Sequence, residues 1–424
     1  MPIPRVVYLK QQVTQPAVPD VAAEVRRQWL QSPLNSRLKP RARIAVGVGS
    51  RGIAGFQAIA RASLAALREM GFQPFLVAAM GSHGGATPEG QRQLLGEYGV
   101  SEKDLGVELR TDMAAERIGT NSWGEPVWWD RNALAADGVV TISRVKPHTD
   151  FRGRFESGIV KMAVIGLGKR EGASQHHRWG YRGLRDMMPE SFKVVLENTP
   201  FLGGLAVLEN AAEETAQLQF VDRDRVLEVE PGLLEKSRAI MGRLPFEQLD
   251  LLVIGEIGKN YSGAGIDPNV VGRLLVETAQ EPESPKITRI CALDLSPESH
   301  GNGTGCGIAD LCTQRLLDAI DPGPFRMNNL TARFLRRSQL PFAFPTDREC
   351  IEQGVDSCWQ PNFDAIRMAV IPNTLEVNEL WVSGPLAEEA KLPRGESREL
   401  PFDAAGNLVQ ERLFPHSVRG RRKK

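Results

Sequence analysis

Arg43-Ile44-Ala45-Val46-Gly47-Val48-Gly49-Ser50-Arg51-Gly52 is a short apolar run that empties into a glycine-rich loop. The run Arg43 to Gly49 predicts a buried strand. Behind it, Ala54 to Met70 has helical apolar spacing and stops at Gly71. Pro74 to Met80 predicts a second strand. After the loop Gly81 to Ala86, Thr87-Pro88-Glu89 reads as a helix start, with a threonine cap and proline at the first helical position. Gly138 to Val145 predicts a third strand, which runs straight into Lys146-Pro147-His148. Strands alternating with helices predict an α/β fold with mainly parallel sheets, in which ligands bind at the carboxyl ends of the strands. Arg51, His83 and His148 each fall just past a strand end, so three loops can converge.

A second α/β unit begins near residue 246. Leu249 to Ile254, Lys286 to Leu293, Ala365 to Ile371 and Asn378 to Val382 predict strands, and Ala309 to Ala319 and Asn329 to Arg336 predict helices. Arg243 to Gln248 reads as the linker. The expected division is an α/β domain over 1–245 and a second over 246–404, with a tail at 405–424 that may return to the first.

The 424 residues are 42% hydrophobic and 25% charged, with 52 basic against 52 acidic side chains, which argues for an ordinary globular chain. Balanced charge gives no footprint of a nucleic-acid or anionic-membrane partner. No segment has the length of an apolar membrane span and the start does not read as a signal peptide, so a cytoplasmic protein is expected. The basic run Arg419, Arg421, Arg422, Lys423, Lys424 reads as a solvated tail. Five cysteines, all beyond residue 290, are too irregularly spaced for a disulfide framework or a paired zinc motif and read as reduced core residues.

The chemistry gathers in the first half. Gly47-Val48-Gly49-Ser50-Arg51-Gly52 matches a dinucleotide fingerprint in form, yet the next strand ends Ala79-Met80-Gly81-Ser82-His83 without the carboxylate that would hold a ribose. His83, between small residues at a strand-to-helix turn, is placed to act as an acid or base. His148 follows a proline that stiffens its approach, and Asp150 could orient it or merely form a turn. Two histidines at two strand ends suit proton transfer on both sides of one substrate, and a metal site would use the same residues. Lys161 sits alone in the apolar run Ser157 to Gly168, where a lysine is expensive unless paired or deprotonated. His176 and His177 are adjacent on a helix and point about 100° apart, so the two would not chelate one ion together.

Taken in order, these segments resemble the lactate racemase family of nickel-pincer-nucleotide enzymes. The likeness runs from about Ile44 to Val382 and includes Gly258-Lys259-Asn260-Tyr261-Ser262-Gly263, Asp267-Pro268-Asn269-Val270-Val271-Gly272-Arg273 and His300-Gly301-Asn302. The resemblance implies two α/β domains with the active site in the crevice between them. It implies a pyridinium-3-thioamide-5-thiocarboxylate mononucleotide nickel cofactor tethered to Lys161. His177 becomes the nickel ligand, with His176 the less favoured choice, and His83 and His148 become the paired acid/base groups. Arg51, Ser50 and Gly49 would contact the cofactor, and Arg51, Lys259 and Arg273 the substrate. The implied reaction is racemisation or epimerisation of a small 2-hydroxy acid by hydride transfer to the cofactor and back, and the implied partners are the proteins that build the cofactor. Two other readings are a NAD-dependent 2-hydroxyacid dehydrogenase, resting on the glycine fingerprint, and a non-catalytic nucleotide- or nickel-binding protein.

Overall fold

Ile44, Ala45, Val46 and Val48 have no exposed surface because the strand Arg43–Val48 runs through the middle of a sheet. Its neighbours are Gln73–Ala78 on one side and Gly138–Arg144 on the other, both parallel to it. Leu109–Arg110 extends one edge, while Phe201–Glu209 and the antiparallel Thr215–Asp222 extend the other. A strand buried on both faces is apolar at every position rather than at alternate ones, and that is the pattern of the quoted stretch. The helix Phe56–Glu69 supplies one cover, turning Phe56, Ile59, Ala60, Leu64 and Leu67 inward at helical spacing. Thr87 caps the helix Pro88–Glu97 through Gly90 N, with proline in the first turn. A separate hairpin, Ala115–Thr120 with Pro126–Asp130, sends the fully buried Trp129 to donate to the Ala163 carbonyl at 2.7 Å.

The computed structural model describes residues 2–11, 15–49, 52–391 and 397–417. The chain divides into two units, one of Gln15–Met241 and one of Met1–Thr14 with Gly242–Lys424. The second unit holds a seven-stranded sheet in the order Val6–Lys10, Glu379–Ser383, Met368–Ile371, Gln248–Ile254, Lys286–Ala292, Leu311–Thr313, Phe342–Phe344. Its strands are parallel except at the first two positions, where Val6–Lys10 pairs antiparallel with Glu379–Ser383, and that strand antiparallel with Met368–Ile371.

Four expectations change. The chain's first strand lies in the second unit's sheet, so that unit is built from both ends of the chain. The described residues of the tail pack in the second unit rather than the first: Leu408, Leu413 and Phe414 pack with Val6 and Trp381, and Trp381 Nε1 donates to the Leu413 carbonyl at 3.0 Å. The helix expected over 309–319 is split into the strand Leu311–Thr313 and the helix Gln314–Asp318, because Thr313 caps the latter through Leu316 N. The helix expected over 329–336 instead spans Pro322–Ala332, capped by Asp321 and ended by Arg333 at φ 64°. All five cysteines are unpaired thiols buried in the second unit. None of the described helices is long and apolar enough to cross a membrane. The basic run at the end of the chain lies outside the described residues.

Candidate active site

Gln73–Ala78, Arg43–Val48 and Gly138–Arg144 are adjacent and parallel, so their carboxyl ends open on the same edge of the first unit's sheet. The loops that carry His83, Gly49 and His148 leave from that edge. Ser50 and Arg51 lie outside the described residues.

His148 is buried and held on several sides. Its backbone N–H donates to Glu156 Oε2 at 2.6 Å, and its carbonyl accepts from Arg152 at 2.6 Å. Glu156, itself buried, also accepts from Gly153 N at 3.0 Å and pairs with Arg238. Burial pushes the Glu156 carboxyl up, and Arg238 opposes that shift. The imidazole stacks on Phe151, with 4.5 Å between ring centroids. Its Nδ1 accepts the backbone N–H of Asp150 at 3.0 Å, and the Asp150 carboxylate stands farther off at 3.9 Å. The orienting group is therefore the Asp150 amide rather than its side chain. Nε2 lies 2.5 Å from Lys161 Nζ.

Lys161 sits in the helical segment Ile159–Lys161, which widens into a π-helix over Met162–Gly166. Such widenings recur at functional sites. The segment is capped by a carboxylate from a distant helix: Glu230 Oε2 accepts from Ile159 N at 2.7 Å and Val160 N at 3.1 Å. A Cβ on Gly158 would stand 2.5 Å from Glu230 Oε1, so only glycine lets that carboxylate reach the helix end. Burial raises the Glu230 carboxyl to about 7.

The His83 loop packs against the same segment. Gly81 N donates to the Gly166 carbonyl at 3.0 Å, and a Cβ on Gly49 would meet the Met162 side chain at 3.2 Å. His83 itself is exposed, and Gln91 Nε2 holds the carbonyls of Gly81 and His83 at 3.1 and 3.2 Å.

His176 and His177 end the helix Lys169–Arg178 and have different surroundings. His176 is fully engaged, with Nδ1 2.8 Å from the Gly172 carbonyl and Nε2 3.1 Å from Ser191 Oγ. Burial lowers its pKa to about 4. His177 is partly exposed. Both nitrogens of His176 are taken up in packing, which leaves His177 as the candidate ligand of the two. Among the described residues, no cluster of three or more His, Cys, Asp or Glu side chains is arranged to hold a metal. A metal on a lone imidazole needs its other donors from a bound group, and an acylable amine on a neighbouring helix suits such a group.

Three functional features escape the sequence. Lys169, not Lys161, is the fully buried lysine: its Nζ lies 2.7 Å from Asp130 Oδ2 and donates to the Ala78 carbonyl at 2.7 Å. Burying a charge is tolerable only with such partners, and this pair ties the end of Gln73–Ala78 to the segment behind Lys161. Glu230, the anchor of the Lys161 helix, sits far from any recognisable motif, and Glu156, the anchor of His148, directly precedes the Ser157 to Gly168 run without any local sign of its role. For Lys169 a signal existed in its own apolar neighbourhood, Gly166-Leu167-Gly168.

The second unit's candidates are bound within it. Lys259 Nζ donates to the Gly263 carbonyl at 2.8 Å. Arg273 pairs with Asp310 at 2.9 Å and donates to the carbonyls of Ile308 and Ile287, each at 2.9 Å. The fork of Arg273 is thus occupied in holding its own loops together. Nor does the glycine fingerprint behave as a dinucleotide loop. Gly47 lies inside the strand, where a Cβ would meet Thr141 at 3.2 Å, and the next helix starts only at Phe56. A dinucleotide loop needs its last glycine at the helix start.

Fold and geometry define a two-unit α/β protein whose candidate residues His148 and Lys161, with the His83 loop, stand at the strand-end edge of its first unit. Residues 5–183 match the family model of the lactate racemase N-terminal domain. That match spans less than half of the chain. Its structure is similar to that of the lactate racemase apoprotein from Thermoanaerobacterium thermosaccharolyticum, with a TM-score of 0.50 and 11% identity, over 87% of this chain and 94% of that one. At that identity the likeness is one of fold. No curated protein sequence matches the chain.

Proposed function

We propose that the protein is a racemase or epimerase of a small 2-hydroxy acid that works with a nickel-pincer nucleotide tethered to Lys161. The observation that carries this reading is the contact of Lys161 Nζ with His148 Nε2 at 2.5 Å, on the edge that also bears the His83 loop. The match of residues 5–183 to the lactate racemase N-terminal domain supports the racemase-type activity, and the donor set fits the cofactor: Lys161 offers the amine for the tether and His177 the imidazole for nickel. When bound, the cofactor supplies a carbon that takes up the hydrogen of the substrate Cα and gives it back. The chain's own residues handle the proton on the substrate hydroxyl. His148 exchanges it at Nε2, because Nδ1 is committed to the Asp150 amide. His83 serves the opposite enantiomer, and each contributes about 10²–10⁴-fold, the usual range for a positioned acid or base. Arg51 is the cation proposed to hold the substrate carboxylate, with Ser50 and Gly49 beside the cofactor, whereas the contacts of Lys259 and Arg273 within the second unit argue for structural roles. The partners proposed are the enzymes that build the cofactor.

The test is to produce the protein alongside those enzymes, map mass increments by peptide, and assay nickel and a panel of chiral 2-hydroxy acids. A mass increment on the Lys161 peptide, nickel bound near one per chain, and loss of optical purity in at least one acid are expected. An unmodified Lys161 in a preparation that loads a known racemase would sink the reading.

A further inference from the structure

The hydrogens around His148 leave little choice of arrangement. A backbone amide always carries its hydrogen, so Asp150 N–H can only donate, and Nδ1 of His148 must accept. A neutral imidazole whose Nδ1 accepts carries its proton on Nε2. That Nε2–H points at Lys161 Nζ, 2.5 Å away. An ammonium has three donors and no acceptor, so it could not receive this bond; an amine can.

We propose that Lys161 stands in the cofactor-free protein as an uncharged amine whose lone pair is held by the Nε2–H of His148, making it the chain's prepared acyl acceptor. The purpose assigned to the pair rests on reading Lys161 as the tether; the hydrogen-bond logic does not. When the amine lone pair forms the C–N bond to an activated acyl carbon of the cofactor, the bond to that carbon's leaving group breaks, the leaving group departs with its electron pair and the nitrogen gives up a proton; the resulting amide-type nitrogen has a delocalised lone pair and accepts no hydrogen bond, so Nε2 of His148 passes to the substrate. One imidazole thus serves two stages, first holding the nucleophile and later exchanging the substrate proton.

Charged groups on the surrounding elements have these partners. Glu230 caps Ile159 and Val160, and Glu156 holds His148 N–H and Arg238. Arg152 donates to the carbonyls of His148 and Phe151. Arg144 pairs with Glu209 at 2.6 Å, and Glu190 with Lys193 at 2.7 Å. The Asp150 carboxylate accepts from Thr149 at 3.0 Å.

The experiment is competitive trace acetylation of the apoprotein with N-acetoxysuccinimide between pH 6 and 10, read peptide by peptide. The exposed Lys103 and Lys236 serve as internal references. Their rates correct for the reactivity of the reagent at each pH. Lys161 should level off near neutrality, with its rate at pH 7 falling about tenfold or more in His148→Phe while the references stay put. A Lys161 profile parallel to the references in the wild-type protein overturns the proposal. Should His148→Phe not fold, ¹⁵N shifts of the wild-type His148 ring decide: a protonated Nε2 with bare Nδ1 supports the pair, and the reverse tautomer overturns it. Production with the cofactor-building enzymes separates the two readings. A mass increment on Lys161 formed as fast in His148→Phe as in wild type overturns this inference and leaves the tether. A wild-type Lys161 that levels off near neutrality yet gains no increment supports the pair and sinks the tether.

Discussion

The two units carry similar parallel strands and put them to different use. At the strand-end edge of the first, a histidine, a lysine and the loop of a second histidine are packed into one group. In the second, the comparable cations turn back on their own backbone, Lys259 to the Gly263 carbonyl and Arg273 to two carbonyls and Asp310. The same architecture therefore gathers the candidate groups at one edge and leaves the cations of the other bound to their own backbone. What separates them is loop chemistry rather than sheet geometry.

The sharpest way to break this contrast is to remove one lysine from each edge. Lys161→Ala should abolish covalent attachment of the cofactor altogether, whereas Lys259→Ala should leave attachment intact; intact-mass measurement after co-production reads both. Equal loss in the two variants would mean that the edges are not chemically distinct. Next in size, His83→Gln should keep the mass increment on Lys161 and lower racemisation by about 10²–10⁴-fold, followed by polarimetry. A variant that racemises at the wild-type rate would remove His83 from the acid/base pair.

Stability offers a gentler comparison. Lys169→Met strands the Asp130 carboxylate with both side chains at 0% exposure, and breaking such a pair costs about 3–5 kcal/mol. Arg273→Met, whose pair with Asp310 has side chains 18% and 31% exposed, should cost less, about 1–3 kcal/mol. Urea denaturation of both variants gives the ranking, and a reversed order would contradict the burial argument.

A last expected effect depends on pH. Folded Glu230 keeps its proton up to about 7, and its ordinary value is 4.5. Between those values the folded chain binds more protons than the unfolded one. The stability this shift contributes is whole below pH 4.5 and is lost as pH rises through about 7. Glu230→Gln removes the titration. The variant should therefore gain on wild type across that window, by up to about 3 kcal/mol. Chemical denaturation at pH 5 and pH 7.5 checks the sign, and an offset that stays constant would show that the cap does not titrate.

The first unit was the more legible of the two because its signals are local. An unbroken apolar run marks a strand buried on both faces, and a threonine before a proline marks a helix start. Gly47 to Met80 and Gly138 to Val145 could thus be read in order, and the histidines placed past strand ends. The charges that anchor the site gave no such sign, since Glu156, Asp130 and Glu230 acquire their roles only through partners brought together by folding. Lys169 was overshadowed by Lys161 because both stand in apolar company, and periodicity does not say which side chain finds a carboxylate. The pairing of Val6–Lys10 with Glu379–Ser383 spans nearly the whole chain, beyond the reach of any local pattern.

That pairing also sets a schedule. During synthesis Gln15–Met241 is complete long before the rest of the chain exists, and it holds the whole of its own sheet. Val6–Lys10 is made earlier still, yet its partner strand Glu379–Ser383 follows only after more than 130 further residues beyond Met241. The ribosome therefore presents a first unit whose sheet is complete, preceded by a strand that must stay unpaired until Glu379–Ser383 has been made. An extension fused ahead of Val6 would test the patience of the second unit, not the first.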